Sequence, residues 1–297
     1  MFLCLSGCLS CLLFSLLPPS IHSCIPGLLG EKGASLCQMH KLGLPVPPAF
    51  TLSTDCCVDY RDNHHRCSKD CLSEVRAAVT HLEAATKRQY GATDGFCRPL
   101  LLSVRPGVAQ GSCSGQGEYG MKTVLNVGMN EGVVAHMITV TNNAKWAYRT
   151  YIRFLQMFSC EVMQREARTC DDVISRVCSE HGVVHESYLD ARHLVRIIEQ
   201  LRDVLPVPDD PWLQLTMTLE AVYRRWFSRN LVNQRSSRGI PESAGCAITV
   251  QTMVYGNLNL LSGTGIAVSR DPHTGEKHFY GHYLGNAEVE LLVGACM

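Results

Sequence analysis

Residues 28–50 constrain this chain more than any other stretch, because they fix a helix at both of its ends. They read L-L-G-E-K-G-A-S-L-C-Q-M-H-K-L-G-L-P-V-P-P-A-F. Gly30 and Gly33 bracket Lys32, so the backbone can bend tightly beside that lysine. The spacing predicts a helix from about Ala34, with Leu36, Met39 and Leu42 on one face. Gly43 stands where a left-handed C-terminal cap belongs, and Pro45 forbids continuation. Phe50-Thr-Leu-Ser-Thr reads as a strand, with Thr54 as the N-cap of the next helix. A lysine at a helix start lies beside free backbone N–H groups and the positive end of the dipole, where an anion is stabilised. Two readings of Lys32 stand: a phosphate-binding lysine, or a solvated lysine in an ordinary loop–helix joint.

Residues 72–90 read as an amphipathic helix with Val75, Val79, Leu82 and Ala85 on one stripe. Pro99-Leu-Leu-Leu-Ser-Val-Arg105 reads as a buried strand with a charge at its C-terminal end. An arginine there is costly unless paired. A phosphate would satisfy it bidentately, and so would a neighbouring carboxylate. A glycine-rich loop, 107–120, comes next; two readings stand, a loop that closes over a ligand and a simply disordered one. Met121 to Asn130 reads as strand then turn. Trp146, Tyr151, Phe154, Leu155 and Phe158 share a wide helical face suited to a core. Residues 171–205 read as one or two helices, and 213–227 as another. From Ala244 the period changes to that of strands: 246–255, 262–270 and 278–284, with a tight turn at 271–277.

Composition narrows the function. The formal net charge is 0, so nothing attracts the chain to nucleic acid. Hydrophobic residues make up 46%, ample for a core in a chain of 297 residues. The 16 cysteines follow no regular framework, and Cys37 and Cys170 fall in helical segments, so reduced buried thiols are expected. His64, His65, Cys67 and Cys71 cluster, but no second ligand pair stands downstream at finger spacing; they read as a loop with chance ligands. The apolar leader, 2–17, is short for a membrane span. It looks like the hydrophobic part of a signal peptide without a preceding Lys or Arg. A targeting segment, a wrongly joined N-terminus and a buried helix are the three readings of it.

Four blocks together resemble the pyruvate, phosphate dikinase family. Residues 28–50 are similar to its L-L-G-G-K-G-A-S-L-A-E-M…G-L-P-V-P-P-G-F. Ser103-Val-Arg105 with Met121-Lys-Thr-Val-Leu-Asn-Val-Gly128 is similar to S-V-R-S-G-A…M-D-T-V-L-N-L-G. Trp146-Ala-Tyr148…Arg153-Phe-Leu-Gln-Met157 is similar to F-A-Y-D-S-Y-R-R-F-I-Q-M. The fourth block is Ile240-Pro241, Val250 to Asn257, Ser262 to Gly265 and Pro272 to Lys277, then Tyr280-Gly281 and Asn286-Ala287.

The resemblance implies an α+β chain: an ATP-grasp-like nucleotide-binding region with a helical insert and an incomplete C-terminal part. It implies an N-terminal α/β part at 25–130, a mainly helical part at 131–243, and the start of a second β-rich subdomain at 244–297, truncated; the apolar leader at 1–24 lies outside it. The implied cofactors are ATP and Mg²⁺. Lys32 and Arg105 would hold phosphates. Gln251, Met253 and Val254 would line the adenine pocket, while Thr264 and Glu290 would face the phosphate–Mg²⁺ region, Glu290 as metal ligand. The implied partners are ATP and a phosphohistidine domain outside this chain, which takes phosphoryl from ATP while a third, barrel domain converts pyruvate to phosphoenolpyruvate. With those domains absent, no catalytic residue is assigned, and the chain alone is not expected to complete the reaction. The implied location is cytoplasmic, with targeting by the leader left open, and a homodimer is allowed.

Departures from the family pattern supply the alternative. The S-G-A-R segment becomes Pro106-Gly-Val-Ala109, which loses an arginine. The loop aspartate becomes Lys122, and the A-Y-D-S-Y aspartate becomes Arg149. N-A-Q-G-E-D reads Asn286-Ala-Glu-Val-Glu-Leu291. A lysine where a metal-facing carboxylate stood inverts the local charge. A divergent, non-catalytic nucleotide- or partner-binding module is therefore the second hypothesis.

Overall fold

The computed structural model describes residues 11–13, 26–93, 97–108, 122–241, 244–271 and 274–287. The chain divides into two compact units, Met1–Met253 and Val254–Met297.

In the first unit, helix α1 (Pro26–Lys41) is broken at Gly30, whose φ of 67° and ψ of 170° are not helical. The segment carrying Lys32 therefore starts afresh just after the break. Its end is the predicted one: Gly43 has φ 74°, its N–H bonds His40 O at 3.0 Å, and Leu44 N–H bonds Met39 O at 3.1 Å. That pairing is a Schellman cap. Leu36 is buried beside Leu29, Cys37 and Ala49, with Met39 packed against them, but Leu42 is 77% exposed because the helix has already unwound there. Strand β2 (Ala49–Leu52) comes next, then α2 (Thr54–Asp62). The N-cap of α2 is Ser53 rather than Thr54. Thr54 instead donates its hydroxyl to Gly27 O at 3.2 Å, tying α2 to the start of α1.

Helix α3 (Lys69–Thr86) is capped by Ser68, which accepts from Cys71 N–H, and buries Cys71, Val75, Ala78, Val79 and Leu82. It stops short of the predicted residue 90 because Lys87 turns left-handed at φ 53°, and Ala85 stays exposed. Before it, His64 and His65 adopt positive φ, and the His65 ring packs edge-on against Tyr60 and Phe227. Strands β3 (Arg88–Tyr90) and β4 (Arg98–Leu100) pair in parallel. Strand β5 (Leu102–Val108) precedes β6 (Val124–Val127); of the glycine-rich stretch between them, residues 109–121 lie outside the described residues.

The helical part holds α4 (Glu131–Thr141), α5 (Ala144–Met157), α6 (Ala167–Glu180), α7 (Ala191–Val204), α8 (Pro211–Trp226) and α9 (Arg229–Ser237). A π-helical turn, Phe158–Val162, prolongs α5. The predicted aromatic face is buried throughout: Trp146, Tyr151, Phe154, Leu155 and Phe158.

Strand β7 (Cys246–Thr252) then returns to the sheet and inserts between β2 and β5. With β1 (Cys11–Leu13) at one edge, the order is β1-β2-β7-β5-β6, and every pairing is antiparallel. Residues directly opposite in such pairs share a face. One face thus carries Phe50, Leu52, Leu102, Val104, Val108, Cys246, Ile248 and Val250, all buried. The other carries Ala49, Thr51, Ser103, Arg105, Gly107, Ala247, Thr249 and Gln251. Mixed helix and strand in this arrangement is an α+β architecture.

In the second unit, β8 (Gly263–Val268) and β9 (Tyr280–Gly285) form an antiparallel ribbon. The predicted turn lies between them: Asp271 Oδ1 accepts from Thr274 N–H at 3.0 Å, and Gly275 has φ 75°. Among the described residues, no helix is long and apolar enough to cross a membrane.

Candidate functional site

The polar face of the sheet is where α1 lies. A Cβ on Gly30 would meet Gly107 O at 2.7 Å and Ala247 Cβ at 3.2 Å; one on Gly33 would meet Thr51 Oγ1 at 3.0 Å. Both glycines are therefore needed to bring the helix down onto strands β5, β7 and β2. Lys32 sits between them, half-buried, with its Cβ 3.8 Å from where a Gly107 Cβ would stand. Arg105 is two residues before Gly107 and on the same face. The structure thus brings the two predicted cations to one side of one sheet.

The surroundings of Arg105 are polar and ordered. Its Nη1 donates to Gln251 Oε1 at 3.3 Å, while Gln251 Nε2 donates to Pro47 O at 3.1 Å. Ser103 Oγ donates to the Gln251 carbonyl at 3.3 Å, and the Thr51 and Thr249 hydroxyls meet at 2.9 Å. Among the described residues, no carboxylate forms an ion pair with Arg105. The strand does not end at Arg105, as the sequence suggested, but runs on through Pro106 and Gly107 to Val108. The guanidinium therefore projects from the middle of a paired strand, half-buried. A half-buried cation held by a neutral amide keeps its full charge for an anion.

The remaining predicted residues fall partly in the first unit and partly in the second. Met253 closes the first unit, and its N–H bonds Leu101 O at 2.9 Å. Val254, 68% exposed, and Thr264 belong to the second unit. There the Thr264 hydroxyl donates to Ala287 O at 2.7 Å. Glu290 lies outside the described residues. Lys122, which stands where the family has an aspartate, pairs with Glu161 of the π-helical turn at 3.0 Å. Glu161 is 14% exposed, so the inverted charge is answered from within the helical part.

Thiol chemistry finds little support nearby. Burial pushes the Cys57 thiol up to about 12, and the Cys56 thiol is raised by its hydrogen bond with Cys71 and by burial. A thiolate is the reactive form, and neither site favours one near neutral pH. For magnesium, no group of three His, Cys, Asp or Glu side chains among the described residues could hold an ion. These residues alone do not make an all-protein metal cage.

Thr51, Ser103 and Thr249 were not singled out from the sequence. The signal was there: in Ala-Ile-Thr-Val-Gln, polar residues alternate with apolar ones, as on a strand with one apolar face.

A family model described as pyruvate phosphate dikinase, AMP/ATP-binding domain, matches residues 64–288. The pyruvate, phosphate dikinase of Clostridium symbiosum is 36% identical over 273 residues, covering 90% of this chain and 30% of that relative. The enzyme of that name from Rhizobium meliloti (strain 1021) is 38% identical over 271 residues, covering 89% and 29%. That of Entamoeba histolytica is 36% identical over 274 residues, covering 90% and 30%. The chain thus spans about 30% of the length of these relatives.

Proposed function

From the premise that this chain belongs to the pyruvate phosphate dikinase AMP/ATP-binding domain family, we propose that its polar sheet face and α1 grip the phosphate chain of ATP. The observation that supports this most is the shared placement of Lys32 and Arg105. One rises from a helix start pressed onto Gly107; the other stands two residues away on the same face. The helix that restarts after Gly30 adds the positive end of a dipole. Two cations and a helix start around one anion is the arrangement that phosphoryl transfer uses, where catalysis is mostly positioning and charge stabilisation.

Within this reading the fold is of ATP-grasp type. Met253 and Val254 take the adenine role that the resemblance implies, and Thr264 and Glu290 the phosphate–Mg²⁺ role. Magnesium enters on the nucleotide, as it usually does, with Glu290 as its protein ligand. The phosphoryl group then passes to a histidine of a separate domain, in the sequence that turns ATP, phosphate and pyruvate into AMP, diphosphate and phosphoenolpyruvate.

The Lys122–Glu161 pair supports a second reading. A loop position that would be acidic in the enzyme is here a largely exposed lysine paired with Glu161, which suits a module that binds nucleotide without turning it over.

Calorimetric titration with Mg-ATP tests the first claim. Wild type should bind. Lys32→Ala and Arg105→Ala should each lose roughly 1.5–3 kcal/mol, the range for hydrogen bonds to charged groups. No binding by wild type would remove the nucleotide reading. Binding without phosphoryl transfer to a supplied phosphohistidine domain would favour the second reading.

A further inference from the structure

Gln251 carries an inference that rests on the nucleotide reading and changes its detail. The family resemblance would put this side chain along the adenine. In the structure this side chain is taken up within the protein. Gln251 is 7% exposed, and both ends of its amide are engaged within the protein. The oxygen accepts from Arg105 Nη1, and the nitrogen donates to the carbonyl of Pro47 in the proline corner. Its own backbone carbonyl accepts from Ser103 Oγ. The residue lies on a central strand with β2 on one side and β5 on the other, so its backbone is fixed as well.

We infer that Gln251 is a positioning residue for Arg105: it hangs the guanidinium from the proline corner and aims it at the phosphates, and it does not read the base. The choice of amide over carboxylate matters. A carboxylate at this distance would also hold the guanidinium, more strongly, but would neutralise it and repel the phosphate. An amide accepts one of the five guanidinium hydrogen-bond donors and leaves the charge intact.

The test compares ligands with and without a base. Wild type, Gln251→Met and Gln251→Glu are titrated with Mg-ATP and with Mg-tripolyphosphate. The thermal unfolding midpoint of each variant is measured first. Gln251→Met should weaken both ligands equally, by about tenfold, the scale of one hydrogen bond to a charged group. Gln251→Glu should weaken both further. In an Arg105→Ala background, Gln251→Met should cost nothing more. Loss for ATP with tripolyphosphate untouched would overturn the inference, because the residue would then be reading the base. Tripolyphosphate ignored by a wild type that binds ATP would overturn it too. A wild type that binds neither would instead overturn the nucleotide reading beneath it, and this inference with it. If the variants do not fold, the unmutated chain still decides. The Gln251 side-chain amide resonance should shift with both ligands; a shift with ATP alone contradicts the proposal.

Discussion

All seven residues of β7 are buried, whereas on the β8–β9 ribbon Tyr283 is 72% exposed and Leu284 43%. Both stretches contain β-branched or aromatic strand formers. They differ in what covers them. β7 has a strand on each side and α1 on its polar face, so its register is set by burial. A slip of one residue would push Thr249 and Gln251 into the apolar side and lift Ile248 and Val250 out of it. The ribbon is held mainly by its backbone bonds and by the Asp271–Thr274 turn. The candidate phosphate grip therefore belongs to the part of the chain with a fixed register. Lys32, Arg105 and Gln251 are all in the first unit.

The sharpest way to break this contrast is Val250→Asp. An unpaired carboxylate on the apolar face costs several kcal/mol. Cooperative thermal unfolding should vanish. If the chain still melts cooperatively near the wild-type temperature, β7 is not the centre of the core.

Gly30→Ala should have the next largest effect. The alanine must hold a φ of 67° and place its Cβ 2.7 Å from Gly107 O. A loss of about 1–3 kcal/mol is expected for the backbone conformation alone. Mg-ATP affinity should fall with it, because α1 must lift off the strand. Denaturant unfolding and calorimetry read the two effects separately. Unchanged affinity would detach the helix start from the site.

Asp190→Asn should do less. Asp190 caps α7, and its carboxyl is held below the usual carboxylate range by the His193 backbone N–H and by the His193 ring. A folded-state pKa below the unfolded one means that the charge stabilises above the ordinary carboxylate range. That contribution fades as pH falls through the folded value. The small gap in Tm between wild type and Asp190→Asn should be present at pH 7 and closed in acid. A gap independent of pH would rule out the charge as its source.

Phe279→Ser should do least. Phe279 is 79% exposed, and surface changes usually stay within about 0.5 kcal/mol. A larger drop in the unfolding midpoint would contradict this reading of Phe279 as a surface side chain.

Much of the fold was legible in the sequence where the cause is local. The glycine cap of α1, the buried aromatic face of α5 and the Asp271 turn arise from neighbours a few residues apart. Ser53 and Thr54 are chemically alike as caps, so choosing between them needed the bond from Thr54 to Gly27. The bounds of helix α4, within the part expected to be mainly helical, are not legible because Val133, Val134, Ile138 and Val140 suit a strand equally well; the Asn130 cap, bonding Val133 N–H at 2.9 Å, decides them. Least legible was the insertion of β7 between β2 and β5, since its partners lie far away along the chain. For the same reason the inward turn of Gln251 and the mid-strand position of Arg105 came only from the structure.

Hydrogen exchange with and without Mg-ATP tests most directly whether α1 and β5 hold the same ligand. A shared grip predicts slowed exchange together at residues 30–35 and 105–108, with the α6–α7 connection at 181–190 unchanged. Protection that appears in only one of those two segments, or elsewhere with both unchanged, would contradict it.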